Sequence, residues 1–170
     1  CYSHTLNDTV QCPRCKKRKD YEVVSEVINI ITESAHSVNP DIKIFAWAWG
    51  WTGNGFDYEN CIKMISPSAI IMNVSENQKD YEIGGVKGKV VDYSMSIIGP
   101  SDFTKSLWNI AKDSGHKIAA KVQINNTWEC STVPYIPVFE NVKQHMLNLI
   151  KEGVSDIMLS WTLGGWPSAN

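Results

Sequence analysis

Two glutamates stand where a carboxylate could act on a substrate: Glu76 in NVSEN and Glu129 in NNTWE. Tryptophan is the other unusual feature, with seven in 170 residues. Trp47, Trp49 and Trp51 share one short stretch, Trp128 adjoins Glu129, and Trp161 and Trp166 lie near the end; only Trp108 stands apart. An indole has a flat apolar face and one N–H donor, which suits stacking beneath a pyranose while polar neighbours hold the hydroxyls. Asn125 and Asn126 are neighbours of that kind. Glycoside hydrolysis asks for two carboxylates flanking the bond, one kept protonated by apolar surroundings and one ionised. Glu129 beside Trp128 has such a neighbour. The plainer alternatives are a surface glutamate that caps or pairs, and a tryptophan that packs a loop or meets a partner.

Soft metal ligands crowd the opening segment CYSHTLNDTVQCPRC, in the pattern Cys1-x2-His4-x7-Cys12-x2-Cys15. These are the ligand types of a structural zinc site, which would pin a rim loop over residues 1–19 that has no apolar anchor. The spacing between the pairs is short for zinc. A disulfide, free thiols with His4 in a substrate pocket, or a CxxC redox pair are the alternatives, and the redox pair lacks its preceding strand. Cys61 and Cys130 bring the count to five, which is not the even set of a disulfide framework. His36 and His145 fall on expected helices as surface or satisfied core residues, and His116 opens an expected strand. Serine-nucleophile, phosphate-cradling and HExxH motifs are absent. Asn7-Asp8-Thr9, Asn73-Val74-Ser75 and Asn125-Asn126-Thr127 match the glycosylation sequon, and no modification is inferred from them.

These residues need elements to position them. Apolar residues Tyr21, Val24, Val27, Ile28, Ile31 and Ala35 recur at helical spacing between Asp20 and Val38, and Asn39-Pro40 stops the run. IKIFAWAW is a strand, and GWTGNG leads to a short helix from Tyr58 to Ile65, closed by Ser66-Pro67. SAIIMNV is a strand apolar on both faces. A polar loop and a strand over VVDYSMSII follow, then a helix capped by Ser101 with Phe103, Leu107, Ile110 and Ala111 inward. Gly115 ends that helix, and HKIAAKVQI is a further strand. Pro137 opens a last helix with Val138, Val142, Met146 and Leu149 inward, Gly153 ends it, and SDIMLSW is the last strand. Such alternation builds a parallel sheet with right-handed crossovers, either an open doubly wound sheet or part of a (β/α)8 barrel, and the barrel is expected. In both, ligands bind at the carboxyl ends of the strands, where six of the seven tryptophans fall.

Composition bounds the function. The chain is of one-domain length, 43% hydrophobic and 20% charged, with a net charge of −2. That balance offers no footprint for nucleic acid; the basic run Lys16 to Lys19 is the solvated start of a helix. No apolar run is long enough to span a bilayer as a helix.

The runs CYSH…CPRC, NPDIKIFAWAWGW, KVQINNTWE, VPYIPV and LSWTLGGWPS resemble the back half of bacterial barrel glycoside hydrolases grouped with the β-N-acetylhexosaminidases. The resemblance covers essentially the whole chain and implies a single domain, residues 1–170, forming the C-terminal portion of a (β/α)8 barrel whose first strands lie upstream. It further implies hydrolysis of a glycan such as β-linked N-acetylhexosamine without an organic cofactor, and an extracellular or periplasmic parent protein. One departure is clear. Hexosaminidases of glycoside hydrolase family 20 work through an adjacent Asp-Glu pair, and this chain has no Asp-Glu dipeptide. Either that pair lies upstream of Cys1, or separated glutamates serve, Glu76 and Glu129 as acid/base and nucleophile or stabiliser. The expected rivals are a barrel that binds glycan without cleaving it and an open α/β domain binding another partner. As a fragment, the chain is expected to be inactive alone and to dimerise through exposed sheet edges.

Overall fold

The computed structural model describes residue 13 and residues 15–51, 55–124 and 136–159. The elements are α1 (Asp20–Val38), β1 (Ile44–Trp47), α2 (Tyr58–Met64), β2 (Ala69–Val74), β3 (Asp80–Ile83), β4 (Val86–Lys89), α3 (Asp102–Asp113), β5 (Ile118–Val122), α4 (Phe139–Lys151) and β6 (Asp156–Leu159). Strands β1, β2, β5 and β6 form a four-stranded sheet in that order, and β3 with β4 forms a separate ribbon. The β1–β2 and β5–β6 pairs are parallel, so the fold is mixed α/β with helices in the crossovers. By contacts the chain divides into two compact units, residues 1–72 with 107–117 and residues 73–106 with 118–170, the boundaries falling inside β2 and α3 and just before β5.

In the first unit, β1 lies in register with the start of β2, from Ile44 opposite Ala69 to Trp47 opposite Met72. Ile71 N–H donates to Lys117 C=O at 3.0 Å, which carries the ladder toward β5. The core gathers Ala48, Cys61, Ile62, Ala69, Ile71 and Trp108. Helix α1 opens with the Glu22 carboxylate accepting from Lys19 N–H at 2.8 Å, which satisfies one of the free amides at a helix start. Its rotation differs from the expected inward stripe. Val24, Ser25 and Thr32 are buried, while Val27, Ile30 and Ile31 stay about half exposed. The cause is Asn29, whose Nδ2 donates to Met64 C=O at 2.9 Å and whose Oδ1 accepts from Ser66 N–H at 2.7 Å. That amide closes the end of α2 and fixes which side of α1 faces it.

In the second unit, β5 and β6 pair in register from Ala119 opposite Asp156 to Val122 opposite Leu159. The strand expected over VVDYSMSII does not form. The β3–β4 hairpin sits earlier, around Gly84 and Gly85 at φ +59° and +79°, the successive positive values a two-residue hairpin turn requires. Lys89–Asp80 at 3.2 Å and Lys87–Glu82 at 3.6 Å tie its strands. Residues 90–98 instead give backbone groups to side chains: Ser94 N–H to Glu76 at 2.9 Å, Val91 C=O to Asn77 at 2.7 Å and Ile98 C=O to Lys79 at 2.5 Å. A backbone satisfied that way has no need of a ladder.

Candidate functional site

Two sets of expected site residues lie within the described chain, one in each unit. The first follows β1. Residues two apart on an extended chain share a face, and Trp47 and Trp49 do so, 37% and 50% exposed, with ring centroids 5.6 Å apart and planes 28° from parallel. Ala48 between them is fully buried, and its N–H donates to Met72 C=O at 2.8 Å, which holds this end of the strand against β2. Trp51 turns inward to pack on Phe56, centroids 6.1 Å apart, so it serves the core of its unit and not the open face.

The second set surrounds Glu76, two residues beyond β2. Its carboxylate has no exposed surface. Ser75 Oγ–H donates to Glu76 Oε2 at 2.8 Å, and Ser94 N–H donates to Glu76 Oε1 at 2.9 Å. Ser75 Oγ also lies 2.7 Å from His145 Nε2, and that nitrogen is 3.9 Å from Glu76 Oε2. With the serine proton on the glutamate, the network assigns an N–H to His145 Nε2, donating to Ser75 Oγ. Burial, and then the charge of Lys79, pull the His145 pKa down to about 4, so the ring is neutral near neutral pH. Gly99 closes the far side, since a Cβ there would lie 2.6 Å from His145 Nε2.

Serine, histidine and glutamate meet here without the order of a nucleophilic triad. The hydroxyl lies between both partners instead of at one end, and all three groups are buried. Burial, with Asp92 and Glu76 adding to it, also pushes the Tyr93 phenol well above its ordinary pKa, so it remains a proton donor. This is a sealed polar centre in which Glu76 grips the loop 90–98.

Sequence reasoning singled out Glu76 but missed Ser75, Ser94 and the role of His145. The available signal was spacing, because His145 lies three residues after Val142 and four before Leu149, on the expected inward stripe of α4. His116 is likewise satisfied, its ring nitrogens 2.8 Å from Ala69 C=O and 3.2 Å from Ile62 C=O. Asn73 of the second sequon is buried in β2.

Glu129, Asn125, Asn126, Trp128, Trp161 and Trp166 lie outside the described residues, as do Cys1, His4 and Cys12. Cys15 is half-buried with a free thiol, and no group of three or more metal-ligating side chains occurs among the described residues. No helix among them is long and apolar enough to cross a membrane. Comparison with protein-family models, curated proteins and solved structures finds no match to this chain.

Proposed function

We propose that this chain is the C-terminal portion of a (β/α)8 barrel that binds a glycan at the carboxyl ends of its parallel strands and hydrolyses it. The observation that carries the reading is the exposed, stacked pair Trp47–Trp49 at the carboxyl end of β1, the end of a parallel strand at which α/β folds place their ligands. Ile157, Met158 and Leu159 are each more than 40% exposed, and consecutive residues of a strand face opposite sides, so β6 is open on both faces. That favours a larger fold in which further elements cover both faces, as the core and the outer helices of a barrel do.

In this reading Glu129 and Glu76 are the carboxylate pair, one as acid/base and the other as nucleophile or stabiliser, and Glu76 takes its part only when the cover of Ser75 and Ser94 opens toward the glycan. Asn125, Asn126, Trp128, Trp161 and Trp166 complete the contacts to a β-linked N-acetylhexosamine. Zinc on Cys1, His4, Cys12 and Cys15 closes the opening loop, and no organic cofactor takes part.

A second reading, glycan binding without cleavage, is favoured by one observation, the complete burial of Glu76 beneath Ser75 and Ser94. The two part on Glu76→Gln and Glu129→Gln, tested for hydrolysis of and binding to N-acetylchitooligosaccharides in the longest form of the protein. Lost turnover with retained binding supports the hydrolase. Binding by the wild type without turnover supports the second reading. Unchanged binding in Trp47→Ala and Trp49→Ala defeats both.

A further inference from the structure

Within the second unit, the carboxyl end of β5 holds a buried amide oxygen that the fold leaves unused. Gln123 follows Val122, the last residue of β5, and is 3% exposed. Its Oε1 has no hydrogen-bond partner among the described residues. A buried amide oxygen without a donor costs folding free energy, so each such group calls for a reason. Asn73 and Asn77 carry orphan oxygens too, but each anchors the fold through Nδ2, on Thr104 Oγ1 at 2.9 Å and on Val91 C=O at 2.7 Å.

Sheet geometry gives the face that Gln123 occupies. Ser75 N–H donates to Lys121 C=O at 3.5 Å, which in a parallel pair sets Ser75 beside Val122. Asn73 and Ser75, two residues apart, turn to Thr104 of α3 and His145 of α4, so their face of the sheet is the one the helices cover. Val122 shares that face, and Lys121 and Gln123 on either side of it look the opposite way. Lys121 Nζ donates to Leu159 C=O at 2.8 Å, across to β6. Gln123 lies one step nearer the carboxyl end. In a barrel this face is the interior, filled mainly by branched aliphatic side chains, and residues at the carboxyl ends of its strands meet the ligand. Gln123 also stands two residues before Asn125, where the glycan contacts of the proposed reading begin.

We propose that Gln123 is a glycan contact, its Oε1 accepting a hydrogen bond from a hydroxyl or acetamido N–H of the bound sugar. The proposal rests on the glycan reading above and deepens it. Because Oε1 is already out of water in the folded chain, a sugar donor that reaches it displaces no hydration from the protein side.

Gln123→Met tests this in the longest form of the protein, since it keeps the length of the side chain and removes the amide. The denaturant midpoint is expected to equal or exceed that of the wild type, because the orphan oxygen is gone. Affinity for saccharide, measured by calorimetry, is expected to fall about tenfold, as for the loss of one hydrogen bond. A loss with N-acetylchitooligosaccharides alone assigns the donor to the acetamido N–H, and an equal loss with cello-oligosaccharides assigns it to a hydroxyl. In the wild type, the Gln123 side-chain amide resonances are expected to shift with added saccharide, a readout independent of how any variant folds. Wild-type binding with unmoved Gln123 resonances, or unchanged affinity in Gln123→Met, overturns the contact while leaving the glycan reading in place. A wild type that binds neither saccharide series overturns both.

Discussion

His145 shows how position in the fold can override the intrinsic chemistry of a side chain. An exposed imidazole titrates near 6.5, but here burial and Lys79 bring it to about 4. The unfolded chain therefore takes up a proton as pH falls through 6.5, while the folded chain refuses it until about 4. The group leaves stability unchanged above 6.5 and destabilises progressively between 6.5 and 4, by about 3 kcal/mol when complete. Denaturant unfolding of wild type and His145→Gln across that window is expected to show a steeper acid loss in the wild type; parallel curves would refute the neutral assignment. The same centre explains why the Ser75 hydroxyl is not placed as the nucleophile of a triad: it lies buried between Glu76 and His145, with no open side from which to meet a substrate.

At the scale of elements, the starts of α1, α2 and α3 satisfy free amides by different side chains, Glu22, Asp57 and Ser101. Helix α3 uses Ser101, whose Oγ accepts from Thr104 N–H at 3.0 Å. Ser101→Ala keeps the separate bond from Ser101 N–H to Ser75 C=O and loses only the cap, so it is expected to cost about 1 kcal/mol in equilibrium unfolding. The opening loop permits a different test. If Cys1, His4, Cys12 and Cys15 hold zinc, the purified chain carries one equivalent by elemental analysis, and a strong chelator increases proteolysis within residues 1–19 while leaving α4 protected. A chain without zinc, its thiols reactive or oxidised, returns that loop to the disulfide or free-thiol alternatives.

At the scale of the whole molecule, β6 has β5 as its one sheet neighbour among the described residues and exposes Ile157, Met158 and Leu159. Unpaired edges bearing apolar residues recruit other strands. The 170-residue chain by itself is therefore expected to self-associate, with light scattering giving a mass that rises with concentration above 19.1 kDa. Replacement of Ile157 and Leu159 by lysine is expected to restore the monomer. A wild-type chain that stays monomeric at all concentrations would mean that the edges are protected and that the open-domain alternative describes it better.

Sequence alone sufficed for what depends on neighbours in the chain. Hydrophobic period and punctuation placed four helices and the strands β1, β2, β5 and β6 within a few residues of their observed bounds, and the glycines at 115 and 153 mark two helix ends at φ +85° and +76°. Alternation then led to a parallel sheet. What it could not supply depends on partners far along the chain. Ser75 meets His145 across 70 positions, and Asn29 turns α1 by gripping Met64 across 35. The hairpin at 80–89 displaced an expected strand because Asn77 and Lys79, together with Glu76, captured the backbone that the strand would have used. Local patterns state which faces are apolar; only the packed chain decides whether a carboxylate such as Glu76 faces a ligand or disappears beneath a serine, because burial is set by everything that surrounds a residue at once.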